Sequence, residues 1–136
     1  MRNIVLDSFA VLAFLFDEPA AEQVEALLNK AEQQGDRVLI GAVNWAEVLY
    51  RVSRMQGEIG LAAARQFAQT LALEIVPADA VQAEEAAEFK LAHKMSLGDC
   101  FAAALAKVRK ADLVTGDPDF KSVGGRIRIA WLKPSS

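Results

Sequence analysis

Residues 4–8, Ile4-Val5-Leu6-Asp7-Ser8, set three consecutive apolar side chains directly against a carboxylate and a hydroxyl. A strand with one wet face alternates apolar and polar residues, whereas an unbroken run such as Ile4-Val5-Leu6 is expected of a central parallel strand covered on both faces. Similar runs return at Val38-Leu39-Ile40 and at Leu113-Val114-Thr115, the latter emptying into the turn Gly116-Asp117-Pro118-Asp119-Phe120. Longer segments with helical spacing separate these runs, and that alternation indicates an α/β fold.

Working outward, Ser8 to Phe16 reads as a short helix ended by Asp17-Glu18-Pro19, and Ala20 to Gln34 as an amphipathic helix closed by Gly35. Ala42 to Gln56 is helical by pattern and stops at Gly57; a further helix spans Leu61 to Leu71. Leu73 to Val76 reads as a strand ended by Pro77, Asp79 opens a helix running to about Lys94, and Asp99 to Lys110 forms another. In the last strand, Arg126 to Trp131, Ile127, Ile129 and Trp131 alternate with Arg126 and Arg128, which marks an edge with one wet face. The expected architecture is therefore three-layer α/β/α, with a mainly parallel sheet of about five strands.

Size and composition narrow the function. The 136 residues suit a single domain over 1–136, long enough to bury about two-thirds of the unfolded chain's surface. One cysteine, Cys100, and one histidine, His93, exclude a disulfide, a cysteine-rich zinc cluster and any His-pair mechanism. The apolar run from Ile4 to Phe16 contains Asp7, has no small-residue cleavage pattern after it, and is too short for a membrane span, so a cytoplasmic protein is expected. Net charge is −3, from 15 basic and 18 acidic side chains. If four acids gather in one metal site, 14 remain against 15 bases, and the outer surface need not repel phosphate.

Four acids are candidates for that site. Asp7 and Asp117 follow the first and fourth strands, on the sheet edge where ligands of open α/β folds bind. Glu47 and Asp99 lie in helical segments rich in apolar residues. Each also has a plain explanation: Asp7 as a helix cap, Asp99 in the capping box Ser96-Leu97-Gly98-Asp99, Glu47 paired with Arg51 one turn on, and Asp119 capping the turn that begins at Phe120. Taken jointly those explanations weaken, because three of the four acids fall at termini that the sheet brings to one end. Two carboxylates about 5 Å apart repel by roughly 3 kcal/mol at an effective dielectric near 20. An all-oxygen cluster of this kind suits Mg²⁺ or Mn²⁺.

Through "IVLDSFAVLAFLFDEP", "AVNWAEVLYRV", "LGDCFAAALAK" and "LVTGDPDF", the chain resembles the PIN-domain ribonucleases, in particular VapC-type toxins of type II toxin–antitoxin pairs. The resemblance implies a divalent metal held by Asp7, Glu47, Asp99 and Asp117, and cleavage of RNA by metal-activated water. It further implies Thr115 as a nearby hydroxyl, Asp119 as an accessory acid, a small antitoxin partner and a homodimer. Many such proteins carry a small hydroxyl residue two places after the first Asp; here Phe9 stands there and Ser8 comes one place earlier, which leaves open which hydroxyl orients Asp7. Arg51, Arg54, Arg65, Lys107, Arg109, Lys110 and Lys121 are candidate phosphate contacts. Two other classes share some of these features. A receiver-like phospho-acceptor domain fits Asp7, Thr115 and Lys133-Pro134, but lacks the second acid beside Asp7 and an acceptor Asp after the third strand. A non-catalytic PIN-like RNA-binding module has no reason to keep four acids that repel phosphate.

Overall fold

Residues 2–133 are described by a computed structural model of the chain; Pro134 of the Lys133-Pro134 pair lies outside them. Five strands, β1 (Asn3–Leu6), β2 (Arg37–Gly41), β3 (Glu74–Val76), β4 (Asp112–Thr115) and β5 (Arg128–Trp131), form one sheet in the order β3-β2-β1-β4-β5. Every neighbouring pair is parallel. The three continuous apolar runs are the three inner strands, as their burial on both faces requires. β5 is an edge, and its Arg128 and Trp131 are exposed.

Helices cover both faces because side chains of a strand alternate in direction. Ile4 and Leu6 of β1 join Val38, Ile40 and Val114 in one core. There they meet Val11 of α1 (Ser8–Leu15), Val24 and Leu28 of α2 (Ala21–Gln34), and Val48 and Phe67 of α3 (Ala42–Thr70). Val5, Leu39 and Leu113 point the other way, into a second core. That core is completed by Phe89 of α4 (Ala80–Ala92), by Leu105 and four alanines of α5 (Leu97–Arg109), and by Phe120 of the 3₁₀ turn Pro118–Val123. The result is the three-layer arrangement that the sequence predicts.

The chain departs from the expected boundaries in three places. α3 runs from Ala42 to Thr70 with a break at Gly57, whose φ of 60° and ψ of −141° suit glycine alone. The halves pack closely after the break: a Cβ on Gly60 would stand 2.5 Å from the Val52 carbonyl oxygen. α4 stops at Ala92, because His93 adopts extended backbone. His93 thus lies just past the helix, where its Nε2 is buried and has no hydrogen-bond partner among the described residues. β5 starts at Arg128, since Ile127 closes the 3₁₀ turn by donating its N–H to the Val123 carbonyl.

The order of strands places the site. β1 leads outward to β2 and β3 on one side, while β4 and β5 lie on the other, so connections leave β1 and β4 in opposite directions. The crevice above the carboxyl ends of two such strands is where doubly wound sheets bind ligands. Leu6 pairs with Val114 in register, which puts Asp7 directly beside Thr115.

Candidate active site

Asp7 stands at the bottom of this crevice and is 1% exposed. Its Oδ1 accepts the Ala10 N–H at 2.9 Å, capping α1, and its Oδ2 accepts the Thr115 hydroxyl at 2.5 Å. The cap and the sheet-end acid are thus one residue in both roles. The Thr115 oxygen in turn accepts the Asp117 N–H at 3.0 Å, so one hydroxyl ties the ends of β1 and β4 together. Burial pushes the Asp7 carboxyl up to about 7; the Thr115 and Ala10 hydrogen bonds oppose the rise, and the charges of Asp99 and Asp117 add to it.

Asp99 reaches the crevice from the first turn of α5. Ser96 caps this helix by accepting the Asp99 N–H at 3.1 Å, and a carboxylate there is favoured by the helix dipole. Its pKa nevertheless rises to about 6, from desolvation and then from Asp117, Glu47 and Asp119, with Ser96 opposing. The capping box and the acid cluster coexist in Asp99 as they do in Asp7.

Glu47 comes from the second turn of α3. Its Oε1 accepts the Ser8 hydroxyl at 2.8 Å, and no ion pair joins it to Arg51 among the described residues. This answers the question that Phe9 raises: Thr115 orients Asp7, and Ser8 orients Glu47. Asn44, one turn earlier and fully buried, donates through Nδ2 to the Gly98 carbonyl at 3.1 Å. That bond fastens α3 to the start of α5, beside Glu47 and Asp99. Sequence reading missed Asn44; its spacing of three from Glu47 is the signal that marks it on the same helix face.

Asp117, not Asp119, caps the 3₁₀ turn, accepting the Asp119 N–H at 2.9 Å. Pro118 supplies no N–H, so the first available donor is that of Asp119, and the expected division of labour between the two acids does not hold. The Asp119 carboxylate instead approaches Asp99 and Asp117. One carboxylate oxygen from each of the three lies within 4.8 Å of the others. Asp7 and Glu47 stand outside this trio, coupled to Asp99 electrostatically and engaged by Thr115 and Ser8. The trio is an all-oxygen donor set, and among the described residues no cationic side chain is paired to it; burial chiefly, and the neighbouring carboxylates in addition, raise Asp7 and Asp99. That chemistry fits a hard divalent cation.

Of the candidate phosphate contacts, Lys107, Arg109 and Lys110 sit at the far end of α5, roughly 15 Å along its axis from Asp99 at 1.5 Å per residue. Lys107 pairs there with Glu85 at 2.8 Å. Arg54 lies over the Tyr50 ring. Lys121, on the 3₁₀ turn beside the crevice, is better placed.

Comparison with known proteins agrees with this fold. Among curated proteins none matches the sequence. VapBC2 of Rickettsia felis, solved on a promoter DNA fragment, is similar with a TM-score of 0.82 and 18% identity, covering 96% of this chain and 99% of that one. DNA-bound VapBC of Salmonella typhimurium gives 0.80 and 21%, covering 98% and 100%. The sarcin-ricin loop cleaving toxin VapC20 of Mycobacterium tuberculosis gives 0.74 and 17%, covering 89% and 95%. The model of the PIN domain matches residues 4–126, and with β1, β4 and all five acids inside that span the chain belongs to the PIN domain family.

Proposed function

We propose that this chain is a divalent-metal-dependent endoribonuclease, the VapC-type toxin of a toxin–antitoxin pair. The observation that carries the reading is the trio Asp99, Asp117 and Asp119 over the buried Asp7. Such a concentration of negative charge at a sheet switch point is costly for folding and useful for holding a cation. Mg²⁺ or Mn²⁺ would be held by Asp99, Asp117 and Asp119, with Asp7 and Glu47 behind them. A cation bound there supplies Lewis-acid stabilisation of phosphate charge and water of lowered pKa.

The chain's own residues do the positioning. Thr115 fixes Asp7 and Asp117 relative to each other, Ser8 fixes Glu47, and Asn44 anchors the backbone ahead of Asp99. Lys121 draws the phosphate backbone toward the crevice. With water as nucleophile, products carry 5′-phosphate and 3′-hydroxyl ends. The structural relatives solved as toxin–antitoxin complexes, some on DNA, support a cognate antitoxin for this chain too.

The test is incubation of RNA with the protein in Mg²⁺, in EDTA, and as Asp99→Asn. Cleavage in the first condition alone supports the reading. Equal decay in all three, or 2′,3′-cyclic phosphate ends, would refute it.

A further inference from the structure

Phe9 occupies the position where a small hydroxyl was expected, and the structure gives it a seat. A Cβ built on Gly116 would lie 2.5 Å from Phe9 Cε1 and 2.9 Å from Cζ, so the ring packs against a backbone that only glycine leaves bare. Gly116 is the residue between Thr115 and Asp117, which places the ring at the lip of the acid cluster. Despite this contact Phe9 is still 38% exposed.

The exposed side opens into a groove of about 540 Å³ shared with Pro118, Trp131, Lys121 and Lys133. Trp131 pairs in register with Thr115 and is 39% exposed. Two half-exposed aromatic rings at a mouth lined with lysines do not help a core. Among the described residues neither lysine forms an ion pair, while Glu18 is the one acid of the groove. Exposed aromatic side chains beside lysines, next to the acid cluster, match one chemistry: a single-stranded nucleotide whose base stacks while its phosphate meets a lysine.

Resting on the nuclease reading, we propose that the Phe9–Trp131 groove is a base-stacking subsite for the unpaired nucleotide next to the scissile phosphate. The subsite selects for an unstacked base over a duplex and holds the strand so that the adjacent phosphate reaches the acids. It reads the flat face of the base, and is therefore tolerant of base identity.

The test uses a short single-stranded RNA whose cleavage junction has been mapped, together with versions carrying one abasic residue at each position in turn. Binding is measured by fluorescence anisotropy to the Asp99→Asn chain, and kcat/KM with the parent chain. An abasic residue flanking the junction is expected to weaken both about tenfold, mainly through KM, while abasic residues farther away have little effect. Phe9→Leu should abolish the difference between intact and abasic RNA, and Phe9→Trp should preserve it. Uniform tolerance of abasic residues with cleavage intact overturns the subsite alone and leaves the groove to a protein segment. Position-dependent binding without any cleavage by the parent keeps the subsite and overturns the nuclease. The abasic series needs no altered groove residue, so misfolding of a Phe9 variant cannot decide the outcome.

Discussion

The Thr115 hydroxyl donates to Asp7 Oδ2 at 2.5 Å and accepts from the Asp117 backbone at 3.0 Å, joining residues that are more than a hundred positions apart in the chain. The first bond is buried and the second partly so, and the other Asp7 oxygen is already taken by the Ala10 N–H. Replacing Thr115 by Val keeps the shape and orphans both of its partners. Stability should fall by about 1–3 kcal/mol, measured by urea unfolding, and ribonuclease activity should fall with it. Thr115→Ser should restore most of both. An unchanged midpoint for the valine variant would show that the hydroxyl does not carry the junction.

Raised carboxyl pKa values make the metal-free protein less stable as pH climbs. Asp7 goes from the usual 3.8 to about 7, and Asp99 to about 6. Between pH 4 and pH 7 the unfolded chain has released these protons while the folded chain still holds them. Folding is therefore penalised increasingly across that window, and the penalty is complete above it. Without divalent cation, Tm should drop from pH 5 to pH 7.5, and Asp7→Asn should flatten the drop. Mg²⁺ competes with protons for the same oxygens, so its stabilisation should be larger at pH 7.5 than at pH 5. A pH-independent Mg²⁺ effect would mean that the ion binds elsewhere.

Asp119 contributes its backbone N–H to the turn and its carboxylate to the trio. Asp119→Asn should therefore leave unfolding midpoints unchanged and weaken Mn²⁺ binding about tenfold or more, by titration calorimetry. Equal affinity would remove Asp119 from the ligand set.

The break in α3 depends on two glycines. Gly60→Ala would drive a methyl into the Val52 carbonyl, and backbone cannot step aside as a side chain can. A loss of about 1–3 kcal/mol is expected. Gly57→Ala meets no atom within 4 Å but forces an L residue into a conformation at φ 60°, ψ −141°. It should cost about 1–3 kcal/mol through strain alone. Thermal unfolding of the two variants separates contact from conformation.

How far the sequence reaches can be judged residue by residue. The buried runs 4–6, 38–40 and 113–115 announce inner strands because full burial removes polar alternation, and the single wet face of residues 126–131 announces an edge. Gly57 announces its break because no other residue takes that conformation. The distribution of hydrogen bonds is less legible. Ser8 serving Glu47, Asn44 reaching Gly98 and Thr115 bridging two acids are contacts between elements 39 to 108 residues apart, which no local pattern encodes. Asp117 taking the cap was hidden for a local reason: Pro118 lacks an N–H and passes the donor role to Asp119. The distant cations misled for the opposite reason. Helix length, not sequence proximity to Asp99, carries Lys107 and Lys110 to the other end of the molecule.

Because β4 lies beside β1 in the sheet, the first acid of the chain acquires its neighbour only when one of the last elements is in place. A polypeptide interrupted before Thr115 retains Asp7, Glu47 and Asp99 yet has no crevice to hold them in. Fragments from stalled translation or proteolysis within α5 therefore lack the site, which forms all at once, with the closing of the sheet.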